Sequence, residues 1–477
     1  MKKYIYMAVA AIAALSSCTP DETGDVNTNG SDEAFIATIE TGNTRTTLGT
    51  GDNAGKVFWE SGDKISINGV TYTGTPDKDN ATKATFEKDG DAATGTTFSA
   101  YYPASLYDGT NATLPAEQTY EAGKISNLPM YAQSDDHNLV FKNLCGVLAI
   151  TVNSSDFSEV SSIDVYSDNW MNGEFTVDAS DYSMSFSGTI ADANKKLTLS
   201  MGTTPMSITT SQVFYVAIPA GTHNLIFKVN GTLNSATTSK VMATKAANGI
   251  TIERNTIYSI AFAENAVQLW AGGPYWATIN VGQTLADYSS THIATTNDHS
   301  WTGYKSTYTT ENVGGLYYWG GTHFENVRVS YAETSDWAWY STLDSDHDMA
   351  TQLWGSNWRL PNRSEFGTTS GLCNTSNVSS ASATVNGIWG YKFTGKTSGY
   401  TAHSIFLPAG GYFKPSDSKL YNVGTEGDYW SSTGKSSDNT VYQMHFSKSG
   451  DSAAPHEYTG TNLFGRSVRA VLNVTGL

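Results

Sequence analysis

Short apolar runs with the length of β-strands recur throughout this sequence and limit it to a fold built mainly from strands. AFIATIE, TFSAYYPASL and VFYVAIPAG are examples, and Thr, Ser, Asn and Gly fill the segments between such runs. After the first 17 residues, no long stretch shows the period of an amphipathic helix. The 44 glycines and 27 tyrosines among 477 residues agree with a loop-rich, extracellular β protein.

Alternation of apolar and polar residues indicates that some of these strands have one buried face. In KISING, Ile65 and Ile67 alternate with polar residues, so both isoleucines are expected on the core side. Comparable runs recur at regular spacing up to residue 262, which is typical of β-sandwiches. The region is long enough for two of them, and we predict one over residues 34–139 and another over residues 140–263.

Tryptophan and histidine mark the start of a different domain near Glu264. Trp59 and Trp170 are the two tryptophans before residue 263, and the other ten of the twelve follow it. Two histidines precede that point and seven follow it. We therefore predict a third domain over residues 264–477.

The N-terminal segment MKKYIYMAVAAIAALSSC, residues 1–18, is typical of a signal peptide. Its apolar stretch is too short for a permanent membrane span and follows two lysines. LSSC resembles the lipobox of bacterial lipoproteins, which implies that Cys18 becomes the lipidated first residue of the mature chain. The alternative is an ordinary signal peptide that ends near a cysteine. Residues 19–33 have almost nothing to bury and are predicted to form a flexible tether.

Charge and cysteine content exclude two classes of protein. The net charge of −17 leaves no basic stripe for phosphate groups, so a nucleic-acid partner is not expected. Three cysteines do not form a disulfide framework. Cys145 lies in the apolar run FKNLCGVLAITV and is predicted to be a small core residue, while Cys373 is predicted to lie at the end of an element.

Six segments before residue 263 resemble the fimbrillin-like proteins of Bacteroidetes in order and spacing: TRTTL, GKVFWESGDKISI, FSAYYPAS, LPMYAQS, FKNLCGVLAITV and ITIERNTIYSIAF. The resemblance implies two transthyretin-like β-sandwiches, lipoprotein export and a role as a pilus subunit or minor component. Polymerising members of that family lose an N-terminal strand to an arginine-specific protease and accept a donor strand. Arg45, the only arginine in the first 250 residues, is then the candidate cleavage site. The alternative is that Arg45 belongs to the common strand pattern and is not cleaved.

Residues 267–472 resemble the Fibrobacter succinogenes major paralogous domain, a C-type-lectin-like module. LWAGGPYWATINVG, GGLYYWGG, HDMATQLWGSNWRLPNRSEF, SIFLPAGGY, GDYWSST and FGRSVRAVL carry the resemblance, and a long polar insert near residues 285–312 departs from it. The predicted fold class is therefore mainly β, with two transthyretin-like sandwiches followed by an α+β C-type-lectin-like domain.

The charged stretch GSNWRLPNRSEF, residues 355–366, is predicted to be scaffold. HDMATQLWG predicts a short helix that ends at Gly355, and the residue before a proline avoids the helical region, so WRLP is extended. Trp358 is then expected in the core and Arg359 on the opposite side. A second short helix is predicted to begin at Ser364.

Several charged and apolar residues of this domain receive structural roles from the same argument. The predicted ion-pair partners are Arg359, Arg363 and Glu365. In GDYWSS and GRSVRAV, Trp430 and Val468 are predicted to be core residues. Arg466 and Arg469 are predicted to pair with carboxylates.

The sequence contains no motif of enzyme chemistry, so we predict a protein that is not an enzyme and has no cofactor. P-loop, HExxH, GxSxG and GxGxxG patterns are absent, and the histidines lack ligand spacing. LDSDHD places Asp344, Asp346 and Asp348 in alternation, which suits a calcium loop. The glycine and terminal glutamate of an EF-hand are missing, and the alternative is a solvated helix start with an aspartate near the N-cap.

Aromatic residues in YYWGG and DWAWY are the candidates for ligand binding. Exposed aromatic side chains can stack on sugars or anchor partners. The candidates are Trp337, Trp339, Tyr340, Tyr317 and Tyr318, whereas Trp319 is expected to face the core.

Together these observations favour a surface-exposed lipoprotein of the outer membrane, with a fimbrillin-like stalk that presents a lectin-like head for adhesion. Its expected partners are the outer membrane through the lipid, a pilus subunit that donates a strand, and a host or glycan ligand. In a fimbrium it would lie at the tip. The alternative is a glycan-capture lipoprotein of a nutrient-uptake system that never polymerises.

Overall fold

The chain is mainly β, as the sequence predicts. A computed structural model describes residues 34–40, 58–122, 124–125, 128–283, 313–319, 340–414, 416, 419–435, 440–449, 454–461 and 464–473. Contacts divide the chain into two units. The first comprises Met1–Ser161, Trp170–Gly221 and Ile252–Phe262, and the second comprises Ser162–Asn169, Thr222–Thr251 and Ala263–Leu477. The domain boundaries at residues 139 and 263 stay predictions.

Nine strands precede residue 144: β1 Phe35–Ile39, β2 Lys64–Ile67, β3 Val70–Pro76, β4 Lys83–Lys88, β5 Phe98–Tyr102, β6 Ala112–Leu114, β7 Glu117–Thr119, β8 Met130–Ser134 and β9 Asn138–Asn143. Seven of them form one sheet in the order β1-β4-β3-β2-β5-β8-β9. This sheet closes on itself because β1 pairs antiparallel with β4 and parallel with β9. Alternate residues of β1, Phe35, Ala37 and Ile39, are buried inside it.

The KISING strand confirms the predicted core side. Ile65 and Ile67 are fully buried, and the hairpin to β3 turns at Asn68 and Gly69, which both have positive φ. A two-residue Asn-Gly connection is the favoured hairpin turn because its twist matches that of the strands. Ser66 is also buried, which the alternation did not predict.

Twelve strands lie between residues 145 and 261: β10 Cys145–Val152, β11 Glu159–Tyr166, β12 Gly173–Val177, β13 Met184–Phe186, β14 Lys196–Ser200, β15 Met206–Ser207, β16 Gln212–Pro219, β17 Gly221–His223, β18 Ile226–Leu233, β19 Ala236–Ala243, β20 Ile250–Ile252 and β21 Ile257–Ala261. Strand β10 lies between β16, its antiparallel partner, and β21, its parallel partner. Seven of its eight residues are buried, including the free thiol of Cys145, which confirms the predicted core position. Short 3-10 helices span Ala104–Leu106 and Asp192–Lys195.

The remaining elements belong to the second unit: β22 Ala266–Gln268, β23 Tyr275–Ala277, α1 Met349–Trp354, β24 Trp358–Arg359, α2 Arg363–Phe366, β25 Val378–Val385, β26 Ile388–Gly395, β27 Ser404–Pro408, β28 Tyr412–Lys414, β29 Lys419–Tyr421, β30 Glu426–Lys435, β31 Thr440–Ser447, β32 His456–Thr461 and β33 Val471–Leu472. None of the helices in the described ranges is long and apolar enough to cross a membrane.

The central sheet of the second unit runs β18-β19-β22-β23-β33-β24. The hairpin β18–β19 joins it through the pair Val241 and Ala266. Strand β33 lies between β23 and β24, with Val471 opposite both Trp276 and Arg359. Two further three-stranded antiparallel sheets are β25-β26-β27 and β30-β31-β32, and the second of them positions the site described below.

Candidate binding groove

The stretch GSNWRLPNRSEF is scaffold, as predicted. Helix α1 ends before Gly355, which has a φ of 89°, and a side chain there would collide with the carbonyl of Ala246. Trp354 and Trp358 are fully buried with their rings edge to face, and the Trp358 indole donates to the carbonyl of Thr244 at 2.9 Å. The tryptophans therefore pack the core of the second unit.

An ion pair between Arg359 of β24 and Glu365 connects the strand to helix α2. Arg359 donates two hydrogen bonds to the Glu365 carboxylate, at 2.8 and 2.7 Å, and this bonding raises the pKa of Arg359. Glu365 also accepts from the backbone N–H of Asn362, whose side chain accepts from the N–H of Glu365. This reciprocal capping box starts α2 at Arg363, one residue before the predicted start.

Arg466 and Arg469 differ in their partners. Arg466 forms the predicted ion pair, with Nη1 2.8 Å from the carboxylate of Asp428. The prediction was wrong for Arg469, which is fully buried and donates to the Asn280 amide oxygen and to two carbonyl oxygens, each at 2.7 Å. Burial lowers the pKa of Arg469 to about 10. Trp430 and Val468 are buried, as predicted.

The acidic run at residues 344–348 does not converge on one point. Oδ1 of Asp348 accepts from the N–H groups of Ala350 and Thr351, and Oδ2 accepts from that of Leu360. Asp348 is thus the N-cap of α1, as the alternative interpretation had it, but it is buried and not solvated. Asp344 bonds to His347 and Asp346 is exposed, so a calcium site at Asp344, Asp346 and Asp348 gains no geometric support.

The aromatic candidates fall into three groups. Tyr317 and Tyr318 are only 1% and 7% exposed, so their rings lie in the core and not on a binding surface. Trp319 is also buried, as expected. Tyr340 is half-buried and its hydroxyl lies 2.7 Å from Nε2 of His347. The last two aromatic candidates, Trp337 and Trp339, lie outside the described residues. The lipidation candidate Cys18 and the cleavage candidate Arg45 also lie outside them.

An open groove of about 750 Å³ lies where α2 and the loop after it meet the sheet β30-β31-β32. We call it the hydroxyl groove; it is lined by Asn362, Arg363, Ser364, Gly367, Thr368, Thr369, Ser370, Thr433, His456 and Glu457. Its volume is within the range of small-molecule sites, which is roughly 300–1,000 Å³. Five of the ten lining residues carry a hydroxyl group, and two of these are already engaged: Ser364 donates to Asn362 at 2.6 Å, and Thr433 accepts from the N–H of Arg363 at 3.1 Å. The hydroxyls of Thr368, Thr369 and Ser370 can both donate and accept hydrogen bonds.

An ion pair forms one wall of the hydroxyl groove. Nε of Arg363 donates to Glu457 at 2.9 Å, and Nη2 lies 2.8 Å from the same oxygen. This contact raises the pKa of Arg363. The guanidinium carbon lies 3.9 Å from the centre of the Tyr442 ring, so the ring holds the planar cation in place. Both partners are partly exposed, so the pair orients the wall more than it stabilises the fold.

A tight turn presents the hydroxyl groups of Thr368, Thr369 and Ser370. The N–H of Gly371 donates to the carbonyl of Gly367, and a side chain at residue 371 would come within 2.4 Å of the carbonyl of Ser364. Only glycine fits there without displacing the backbone. The three residues between these glycines are exposed as a result.

This groove is not predicted from the sequence. Its two halves come from residues 362–370 and residues 433–457, and their proximity depends on the fold. The run FGTTSG was the available signal, because three hydroxyl residues bounded by glycines are typical of an exposed turn. In chemical terms the groove can hydrogen-bond a small, uncharged, many-hydroxyl ligand.

Comparisons with known proteins give limited matches. A family model described as a domain of unknown function, DUF8237, matches residues 373–471. A crystal structure of a proposed cell adhesion protein from Bacteroides ovatus is similar at 14% identity and a TM-score of 0.29, over 47% of this chain and 92% of that one. A proposed cell adhesion protein from Bacteroides thetaiotaomicron is similar at 12% identity and a TM-score of 0.22, over 48% of this chain and 92% of that one. Comparison with curated proteins gives no significant match.

Proposed function

We propose that this chain is a cell-surface lipoprotein of the adhesion type, without enzymatic activity, whose second unit binds carbohydrate in the hydroxyl groove. The observation that carries the proposal is the groove itself, with five hydroxyl residues beside the oriented pair of Arg363 and Glu457. Sugars present rings of hydroxyl groups, which pair with such donors and acceptors. The resemblance of the N-terminal region to lipoproteins and fimbrillin-like proteins supports the surface location.

The groove is tested by removing hydroxyl groups without changing side-chain shape. The full mature chain is screened on a glycan array, and the affinity for the strongest ligand is then measured for the double variant Thr368→Val, Thr369→Val. Loss of two hydrogen bonds is expected to weaken binding about tenfold. Thr384→Val, an exposed threonine on β25 outside the groove, is the matched control and should bind normally. Unchanged affinity in the double variant would exclude the groove, and a chain that binds no glycan would exclude a sugar ligand.

Lipid attachment at Cys18 is the second part of the proposal. An acylated cysteine can hold a chain at a membrane without a spanning helix. Cys18→Ala should leave the precursor unlipidated and move the protein from the membrane fraction to the soluble fraction. If the variant stays membrane-bound and is processed normally, the anchor lies elsewhere.

Membership of a pilus separates the two functions that the sequence leaves open. A fimbrial tip subunit should co-purify with pilus fibres, whereas a glycan-capture lipoprotein of an uptake system should not. Glycan binding alone does not separate them, because both functions use it.

A further inference from the structure

Two histidines and an aspartate lie in one row across the sheet β30-β31-β32. His445 pairs with Asp428 on one side and with His456 on the other. Directly opposite residues of antiparallel strands share a face of the sheet, so these three side chains lie together. The two imidazole centres are 5.4 Å apart with the rings inclined at 76°, and both rings are half-buried.

Both rings have one nitrogen fixed by an oxygen acceptor. Nδ1 of His445 lies 3.0 Å from the Asp428 carboxylate, and Nδ1 of His456 lies 2.9 Å from the carbonyl of Ala454. An acceptor at Nδ1 places the hydrogen there and leaves the lone pair on Nε2. Within the described part of the chain, neither Nε2 atom has a hydrogen-bond partner.

This pattern matches the second coordination sphere of a metal site. A metal-binding histidine usually donates its other N–H to a carboxylate or a backbone carbonyl, which fixes the ring and its tautomer. Asp428 and the Ala454 carbonyl supply one acceptor of each kind. The spacing along the chain gives no hint of the pair, because eleven positions and a strand reversal separate His445 from His456.

Two carboxylates lie near His445 and favour a bound cation, and a nearby arginine balances part of their negative charge. Ligand atoms of Glu426, Asp428 and His445 lie within 4.8 Å of one another, a group that does not include His456, and Arg466 pairs with Asp428. Gln443, two residues before His445 on the same strand, is 1% exposed, and its amide oxygen has no partner in the described ranges. The Gln443 amide nitrogen donates to the Asp428 carboxylate at 3.0 Å, so this side chain helps to hold Asp428 beside His445.

We propose that His445 and His456 bind a divalent transition-metal ion of the zinc class through their Nε2 atoms. Two imidazoles select Zn²⁺, Cu²⁺ or Ni²⁺ over Ca²⁺, which takes oxygen ligands. Asp428 is a positioning residue that holds the His445 ring, and water or a ligand oxygen completes the coordination. This site is independent of the calcium hypothesis at Asp344, Asp346 and Asp348.

Calorimetric titration of the full, tag-free chain with Zn²⁺ tests the site. We expect saturable binding that weakens at least tenfold in His445→Ala and in His456→Ala. His347→Ala is the matched control and should bind normally. Its ring also contacts a carboxylate, that of Asp344, but its Nε2 is occupied by the hydroxyl of Tyr340.

Further measurements separate metal binding from folding. His456→Gln, at the start of β32, replaces His445→Ala if the latter does not fold. Cu²⁺ bound to the native chain should show two coordinated nitrogens by electron paramagnetic resonance and one in His456→Gln. Asp428→Asn should weaken Zn²⁺ binding roughly ten- to a hundredfold, as loss of an outer-shell partner does. Equal Zn²⁺ affinity in the native chain and in His456→Ala, or no Zn²⁺ binding by the native chain, would overturn the proposal.

Discussion

At the scale of single residues, Asp348 shows how an aspartate in an acidic run can serve the backbone. Its carboxylate is 4% exposed and accepts three main-chain N–H groups, two from α1 and one from Leu360. Burial raises the pKa of Asp348 to about 6, against the lowering effect of those hydrogen bonds. The residue therefore joins the start of α1 to the strand region that follows the helix.

Replacement of Asp348 by alanine should destabilise the second unit. The loss combines an N-cap, about 1 kcal/mol, with an unpaired buried N–H at Leu360, about 1–3 kcal/mol. The free energy of unfolding, measured by denaturant and tryptophan fluorescence, should fall by roughly 2–4 kcal/mol. Asp346→Ala, two residues away and exposed, should change it by less than about 0.5 kcal/mol.

The same pair of variants tests the calcium hypothesis. If the acidic run held calcium, the ion would raise the melting temperature of the native chain, and both Asp346→Ala and Asp348→Ala would abolish that rise. Equal destabilisation by the two variants without calcium would contradict the capping role of Asp348.

At the scale of secondary-structure elements, the hairpin β18–β19 belongs to the central sheet of the second unit. Ile226, Val241 and Ala243 pack in the same core as Trp354 and residues of the C-terminal region. The sequence places this hairpin in the predicted second sandwich, because its alternation resembles that of the strands before it. Alternation identifies a strand and its buried face, but it does not identify the core that the face contacts.

A fragment cut at the predicted boundary should therefore fold poorly. Residues 264–477 lack β18 and β19, so the fragment exposes its core and leaves β22 with an unpaired edge. We expect lower soluble yield and a lower melting temperature than for residues 222–477, which retain the hairpin. Equal melting temperatures for the two fragments would show that β22 tolerates the loss.

At the scale of the whole molecule, sequence patterns predicted local structure better than they predicted which distant segments come together. The mainly β class, the helix before Gly355 and the burial of Trp358 follow from periodicity and turn chemistry over a few residues. The hydroxyl groove and the histidine pair join segments from different elements, so no local pattern contains them. Arg469 was misassigned because a carbonyl-rich buried site can satisfy a guanidinium without a carboxylate.

The position of β33 has a consequence for synthesis on the ribosome. Val471 and Leu472 are translated after β23 and β24, yet the strand that they form lies between those two strands in the sheet. Strand β23 can pair with β22 early, but neither β23 nor β24 can pair with β33 until those residues leave the exit tunnel. A nascent chain stalled before residue 471 would thus leave one edge of β23 and one edge of β24 unpaired, and chaperones bind exposed strand edges of this kind.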